Sequence, residues 1–226
     1  LCVFEFVYFA RPDTVLSGRS VYESRREQGM ALAATAPVEA DLVIGVPDSG
    51  IPGAVGYAQA SGIPYGEGLV KNHYVGRTFI SPTQSIRQQG IRLKLNPMRH
   101  IIEGKRLVVV DDSIVRGNTS KKLVQLLRDA GAAEIHMRLT SPAVVWPCFY
   151  GIDTDTQDQL IAATHTVEQI RDFIGADSVA FLDLEDLVAS TGRPVGDLCT
   201  ACFDGEYPIG IPDSLRRGKL VLEQAE

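Results

Sequence analysis

The chain of 226 residues is 45% hydrophobic and 22% charged, an ordinary globular composition that suits one large domain with a sizeable core, with or without appendages. Its net charge of −6 argues against a broad nucleic-acid-binding surface but leaves room for a small basic pocket. No stretch approaches the roughly 18 apolar residues that a membrane-spanning helix requires.

The chain opens with LCVFEFVYFA, in which Phe4, Phe6 and Tyr8 alternate with other residues. Alternation with a period of two predicts a strand, and the lack of a basic leader argues against a signal peptide. A chain that begins inside a strand and without an initiator methionine is typical of a processed piece. We therefore expect that a preceding region is missing.

Strands and helices then alternate along the chain, which predicts an α/β fold with a mostly parallel central sheet flanked by helices. Ser20 and Glu23 form a capping box before the first helix, and Pro52 is placed as the first residue of the second. Thr166 and Gln169 form another capping box. In chain order we predict a helix to about residue 34, a strand at 41–46, a helix at 52–61, a strand at 107–110, a helix at 121–130, a strand at 134–139, a helix at 167–174, a strand at 179–182 and a helix at 184–190.

The most informative stretch is VVVDDSIVRGNTS at residues 108–120, where an apolar strand leads into Asp111 and Asp112 and a small-residue turn leads into a helix. Open α/β sheets bind ligands at the carboxyl ends of their strands, and the N–H groups of a helix start suit a phosphate. We expect the carboxylates to hold ribose hydroxyls. The 5-phosphate of the same phosphorylated ribose would lie in the turn formed by Val115, Arg116, Gly117, Asn118, Thr119 and Ser120.

The alternative for this stretch is a solvated acidic strand end followed by an ordinary capped helix. Two other phosphate-binding motifs do not fit the sequence, because neither Gly-Lys-Ser/Thr nor GxGxxG occurs in this stretch. A Walker-type loop and a nicotinamide site are therefore disfavoured.

Another turn of this kind, VPDSG at residues 46–50, also closes a strand and precedes a helix. Two anion sites at the strand ends of one sheet suit a ligand with phosphates at both ends, such as 5-phosphoribosyl 1-diphosphate (PRPP). Taken alone, this sequence is more typical of a simple turn, and only its pairing with the first motif favours an anion site.

The segment 71–99 is long and polar, and we interpret it mainly as a functional loop. Its first part, KNHYVGRTFI, carries Lys71, Tyr74 and Arg77 around Gly76. Placement between two phosphate motifs favours a mobile lid, which would bring Lys71 and Arg77 onto a pyrophosphate and exclude water. A solvated basic loop is the alternative.

The chain has four cysteines, two of them in a Cys-x-x-Cys pair, namely Cys2, Cys148, Cys199 and Cys202. Four thiolates are the right number for a 4Fe–4S cluster and equally for zinc. Two disulfides, or unligated thiols, are further alternatives.

Three strings together closely resemble the glutamine PRPP amidotransferases: KNHYVGRTFISP, VVVDDSIVRGNTS and FYGIDT at 149–154. The likeness extends over about residues 2–207. The Asp-Asp string marks type I phosphoribosyltransferases in general, whereas YVGRTFI is far more specific. The resemblance implies a type I phosphoribosyltransferase fold at 1–205, with a flexible lid at about 71–99, an iron–sulfur-tied C-terminal segment and a tail at 206–226.

The family resemblance also implies an activity, the first step of de novo purine synthesis. Ammonia, taken from glutamine, would displace pyrophosphate from C1 of PRPP and form 5-phosphoribosylamine. Neutral ammonia is already a nucleophile, so no strong general base is required, and the sequence offers none. The implied catalytic residues are those of the lid, namely Lys71, Tyr74 and Arg77.

The resemblance also implies a pyrophosphate site and two cofactors. The pyrophosphate of PRPP would lie on Pro47, Asp48, Ser49 and Gly50. The first cofactor, magnesium, would be held by Ser49, Asp111 and Asp112. A structural 4Fe–4S cluster would be held by the four cysteines and tie the two ends of the domain together.

Family members begin with a glutaminase domain that is not in this chain, so Cys2 is not expected to be the glutaminase nucleophile. Purine nucleotides are implied as feedback inhibitors, homo-oligomers as the assembly and the cytoplasm as the location. The alternatives are a nucleobase salvage phosphoribosyltransferase, which would need a base-binding hood, and a non-catalytic PRPP-sensing regulator, which would usually carry a helical DNA-binding domain.

Overall fold

The centre of the protein is a four-stranded parallel sheet, in a computed structural model that describes residues 1–72, 95–152, 154 and 156–211. Its strands are β3 Leu42–Gly45, β6 Arg106–Asp111, β7 Glu134–Leu139 and β8 Ser178–Phe181. They lie in the order β3-β6-β7-β8 across the sheet. In register, Gly45 pairs with Val110, and Asp111 pairs with Leu139. The predicted parallel α/β fold is confirmed.

Both faces of the sheet are covered, which explains the continuous apolar run of β6. Leu107 and Val109 point into one core, and Val108 and Val110 into the other. Helices α3 Arg99–Ile102, α4 Asn118–Asp129 and α6 Val167–Ile174 contribute to the first core. The second core is formed with α1 Val21–Thr35, α2 Gly50–Ser61, α7 Leu184–Ser190 and α8 Ala201–Asp204.

Helices α1 and α2 cross at very short distance because glycines face the partner backbone. A Cβ added to Gly29 would lie 1.9 Å from the carbonyl oxygen of Gly53. Helix α2 in turn lies close to the carboxyl end of β6, since an added Cβ on Gly53 would meet the Val110 side chain at 3.3 Å.

Shorter elements surround this framework. A β1–β2 hairpin precedes α1, and β4 pairs antiparallel with β5 beside the sheet. These elements are β1 Val15–Leu16, β2 Arg19–Ser20, β4 Leu69–Lys71, β5 Leu95–Pro97, α5 Ile161–Thr164 and the 3₁₀ helices Gln157–Gln159 and Val195–Asp197. Among the described residues, no helix is both long and apolar enough to cross a membrane.

The predicted opening strand is wrong, because Glu5–Phe9 form a π-helix. The exposed Tyr8 and the fully buried Val7 contradict the period-two interpretation. Val3, Phe4 and Val7 are instead buried together in the second core, which is the spacing of a helix.

Several boundaries also differ from the predictions. Helix α2 begins at Gly50, so Pro52 is its third residue rather than its first. The predicted loop 71–99 includes β5 and the first residue of α3. Its central part at 73–94, and the tail at 212–226, lie outside the described residues. The capping box of Thr166 and Gln169 is confirmed, and Ser20 caps α1 through the Glu23 N–H.

Candidate functional site

The two predicted phosphate turns lie side by side, because β3 and β6 are neighbouring parallel strands that end at the same edge of the sheet. The Val46 N–H donates to the Val110 carbonyl at 2.9 Å, which continues the strand pairing into the first turn, residues 46–50. The Gly50 N–H donates back to the Val46 carbonyl at 2.9 Å and closes that turn. The peptide bond between Pro47 and Asp48 is cis.

Gly50 is required where the first turn enters α2. A Cβ at this position would lie 2.3 Å from the Val110 carbonyl oxygen and 3.2 Å from the Asp111 Cα. Any side chain would therefore push the turn away from β6 and from the carboxylates that follow it.

Asp111 and Asp112 are both buried at this edge, with 9% and 8% of their surfaces exposed. Burial raises the pKa of Asp111 well above its usual range, and the neighbouring Asp112 charge raises it further. Burial also raises the pKa of Asp112, against hydrogen bonds from Ser113 and Ser49 and the positive charge of Arg25. Two buried carboxylates at such short separation favour binding of a cation.

The hydrogen bonds of the pair differ. Asp111 Oδ1 accepts the Asp112 N–H at 2.9 Å. Asp112 Oδ2 accepts from Ser49 Oγ at 2.5 Å, and its Oδ1 accepts from Ser113 Oγ at 2.6 Å. The Ser49 contact links the two turns, so the structure brings together the three residues that the sequence assigned to magnesium.

Sequence reasoning missed two residues beside this pair, Ser113 and Arg25. Ser113 directly follows Asp112 in the stretch 108–120, and its hydroxyl is the only sequence feature that could have indicated a role in the site. Arg25 lies on α1, is 2% exposed and interacts electrostatically with Asp112. No signal in the sequence near the carboxylates points to it.

The second turn, residues 115–120, leads into α4. Gly117, with a φ of 74° in the left-handed region, is the N-cap of this helix. The first intrahelical bond runs from the Lys121 N–H to the Gly117 carbonyl at 2.9 Å. Helix geometry thus leaves the N–H groups of Asn118, Thr119 and Ser120 without intrahelical partners, as a phosphate site requires. Asn118 and Thr119 are exposed, whereas Ser120 is buried.

The rest of the second turn is held by the segment 159–161. The Ile161 N–H donates to the Val115 carbonyl at 2.9 Å, and Arg116 Nη2 donates to Gln159 Oε1 at 2.6 Å. Arg116 is exposed and is directed to Gln159 in this structure.

Of the predicted lid residues, Lys71 is the last residue of β4, and its Nζ forms an ion pair with Asp48 of the first turn. The predicted cation thus lies at the predicted pyrophosphate turn. Tyr74 and Arg77 lie outside the described residues.

The four cysteines come from three separate places in the chain and meet on the side of the second core. Cys2 and Cys199 pair as an isolated parallel bridge, in which the Cys199 N–H donates to the Leu1 carbonyl at 2.7 Å. The Cys202 carbonyl accepts from the N–H groups of residues 145 and 146, both at 3.1 Å, which brings in the loop that carries Cys148.

The four thiols are electrostatic neighbours. Burial raises the pKa of the Cys202 thiol, and the charges of Cys2, Cys148 and Cys199 raise it further. All four cysteines are free of disulfide bonds. Among the described residues, no group of three or more His, Cys, Asp or Glu side chains is placed so that it could hold a metal ion.

Aromatic side chains surround these thiols. Tyr207 packs against Phe149 with ring centroids 5.3 Å apart, and its hydroxyl donates to the Pro147 carbonyl at 2.6 Å. Burial raises the pKa of Tyr207 to about 12, with the Cys148 and Cys202 charges as the next causes. The C-terminal segment is thereby attached to the loop of Cys148.

Comparison with known proteins agrees with this arrangement. The phosphoribosyl transferase domain family matches residues 30–140, which include both turns and the carboxylate pair. The amidophosphoribosyltransferase of Synechococcus elongatus is 60% identical over 223 residues, covering 99% of this chain and 45% of the relative. That of Mycobacterium tuberculosis is 59% identical over 227 residues, covering 98% of this chain and 43% of the relative.

This chain belongs to the amidophosphoribosyltransferase family. It spans less than half the length of the curated relatives that it matches. A solved structure described as the allosteric regulatory enzyme of purine biosynthesis superposes with a TM-score of 0.86 at 51% identity, covering 95% of this chain and 47% of that one. The glutamine PRPP amidotransferase from B. subtilis, complexed with ADP and GMP, gives a TM-score of 0.85 at 53% identity, covering 94% of this chain and 48% of that one.

Proposed function

We propose that this chain transfers ammonia to C1 of PRPP, releasing pyrophosphate and forming 5-phosphoribosylamine, the first step of purine biosynthesis. The observation that carries the proposal is that two strand-end turns lie at one edge of the sheet together with a buried carboxylate pair, to which Ser49 of the first turn donates a hydrogen bond. The names of the relatives support the same reaction, since they are amidophosphoribosyltransferases.

In this reaction the bond from C1 to the pyrophosphate oxygen breaks, a bond from C1 to nitrogen forms, and the nitrogen loses a proton to solvent. Positive charge develops at C1 and the ring oxygen as the leaving group departs. Asp111 and Asp112 hold the 2- and 3-hydroxyls of the ribose, and their negative charge faces the developing cation. The N-terminal turn of α4 holds the 5-phosphate and thereby fixes the position of C1.

The pyrophosphate lies on the turn 47–50, where Lys71 of β4 supplies a positive charge. Tyr74 and Arg77 are proposed to complete this contact from the lid. Ser49, Asp111 and Asp112 fit a magnesium ion, because Mg²⁺ uses few carboxylates and completes its shell with substrate oxygens and water. When bound, the ion supplies neutralisation of the charge that grows on the pyrophosphate.

We propose that the four cysteines hold a structural 4Fe–4S cluster. The donor set fits, since four thiols without disulfide bonds lie within electrostatic reach of one another. A 4Fe–4S cluster takes one thiolate on each of its four irons, which matches the number of thiols, and zinc is the alternative ligand for the same donor set.

Three further statements belong to the proposal. Glutamine is the ammonia source, supplied through a glutaminase part. Purine nucleotides bind as feedback inhibitors, which is supported by the B. subtilis relative having been solved with ADP and GMP. The working state is a cytoplasmic homo-oligomer.

The test is pyrophosphate release from PRPP and magnesium, measured with ammonium, glutamine or a purine base as the acceptor. Ammonium-dependent release, with no release supported by the base, is expected. Release with a base but not with ammonium would contradict the proposal and favour the salvage reaction. Binding of PRPP without release in any arm would favour the sensing regulator.

A further inference from the structure

The Asp112 carboxylate is held from two sides by hydroxyls on different parts of the chain. Ser49 reaches its Oδ2 from the turn after β3, and Ser113 reaches its Oδ1 from the residue after Asp112 itself. Each carboxylate oxygen has two lone-pair directions, so both oxygens retain the capacity to contact a cation or a ribose hydroxyl.

The two hydroxyls fix the plane of this carboxylate. The terminal torsion of an aspartate lies in a broad and shallow well, so the orientation of the group depends on its hydrogen bonds. With Ser49 alone, the carboxylate could pivot about one contact. The second contact at 2.6 Å removes that rotation, and hydrogen bonds of this length to a charged acceptor are strong.

The charge near Asp112 is fixed as well. Arg25 Nε donates to the Phe6 carbonyl at 3.0 Å, and its Nη2 donates to the Ala10 carbonyl at 2.8 Å. The guanidinium is thereby held in place by neutral partners, while its charge acts on Asp112. Arg25 offsets part of the negative charge, whereas the orientation of the carboxylate is left to the two serines.

We propose that Ser113 is a positioning residue for PRPP and magnesium, which acts by orienting the Asp112 carboxylate toward them. The inference rests on the proposed function and adds a residue to that site. The hydrogen bond of the Ser113 hydroxyl goes to Asp112, so its effect on the site passes through that carboxylate.

The experiment compares Ser113→Ala with Ser113→Thr, which retains the hydroxyl. Equilibrium binding of PRPP in the presence of Mg²⁺ is measured by calorimetry, and binding of Mn²⁺ alone by electron paramagnetic resonance. Loss of one hydrogen bond to a charged group predicts PRPP and Mn²⁺ binding weakened about tenfold in the alanine variant. The threonine variant is expected to restore both to within about threefold of the wild type.

Ser178→Ala is the matched control. Its hydroxyl contacts His136 Nδ1 at 2.9 Å and Arg138 Nη1 at 3.0 Å, and it begins β8 at the opposite edge of the sheet. This variant is expected to lose thermal stability while binding PRPP as the wild type does.

Unchanged binding in Ser113→Ala, or equal weakening in the alanine and threonine variants, would overturn the role of Ser113. A wild-type chain that binds no PRPP would instead overturn the proposed function, and the inference with it. The two failures are distinguished by the wild-type measurement alone.

Discussion

The strand-edge site and the four-cysteine site are assembled in different ways. The strand-edge site consists of two short stretches, 46–50 and 111–120, each of which follows a strand and begins a helix. The cysteine site draws Cys2 from the N-terminal segment, Cys148 from a loop, and the pair Cys199 and Cys202 from the C-terminal part of the described chain.

This difference shows that a site can be predicted from the sequence when secondary structure alone positions its side chains and backbone groups. Parallel pairing of β3 with β6 brings the two turns together, whatever the rest of the chain does. The cysteines meet only because the N-terminal segment, the 145–148 loop and α8 pack onto the same core. The predictions below separate the two sites, in order of decreasing expected effect.

Asp111→Asn is expected to lower the turnover with PRPP and ammonium by about 100-fold, the scale for removing one preorganised electrostatic contact. Steady-state pyrophosphate release measures it. Asp183→Asn is the matched control, because Asp183 is exposed at the N-cap of α7 and its side chain makes no capping hydrogen bond there. Full turnover in the Asp111 variant would exclude its proposed role.

Cys199→Ser is expected to reduce the iron content from about four atoms per chain to none and to lower the thermal midpoint. Iron analysis and calorimetric melting measure these effects. If the strand-edge site forms independently of the cysteine site, the folded fraction of this variant should still bind PRPP. Unchanged iron content would contradict the cluster.

Gly50→Ala is expected to destabilise the fold by about 1–3 kcal/mol and to weaken PRPP binding, because the new Cβ meets the Val110 carbonyl. Denaturant unfolding and calorimetric binding measure the two effects. Gly196→Ala is the control, since an added Cβ there has no heavy atom within 4 Å. Equal stability of the two variants would show that the close approach is not required.

His136→Asn changes a residue of β7 outside both sites, and its effect, which is on the pH dependence of stability, is expected to be the smallest. Burial lowers the pKa of His136 below its usual 6.5, partly opposed by Glu134, so protonation favours the unfolded chain. Wild-type stability should therefore fall as the pH decreases from 6.5 through the lower folded-state pKa. The variant should show a shallower decrease between pH 7 and 5. Identical pH profiles for wild type and the His136 variant would exclude this contribution.

The errors in prediction have a physical pattern. The strand 134–139 and the helix 184–190 were predicted with their observed bounds, because periodicity and capping are local. The opening segment was misassigned because Phe4, Phe6 and Tyr8 alternate, whereas burial of Val3 and Val7 decides the conformation through contacts with α1 and α8. Pro52 is compatible with more than one position in the first helical turn, and the pairing of Val46 with Val110 sets the start of α2.

The sequence by itself determined the parallel sheet, the two strand-end turns and the family resemblance, because apolar runs, turn residues and helix starts act over a few neighbouring residues. Only the tertiary structure decided that Arg25 acts on Asp112, that Ser49 and Ser113 hold the same carboxylate, and that Lys71 pairs with Asp48. These contacts depend on the directions of side chains from separate elements, which packing of the whole domain sets and which no local pattern records.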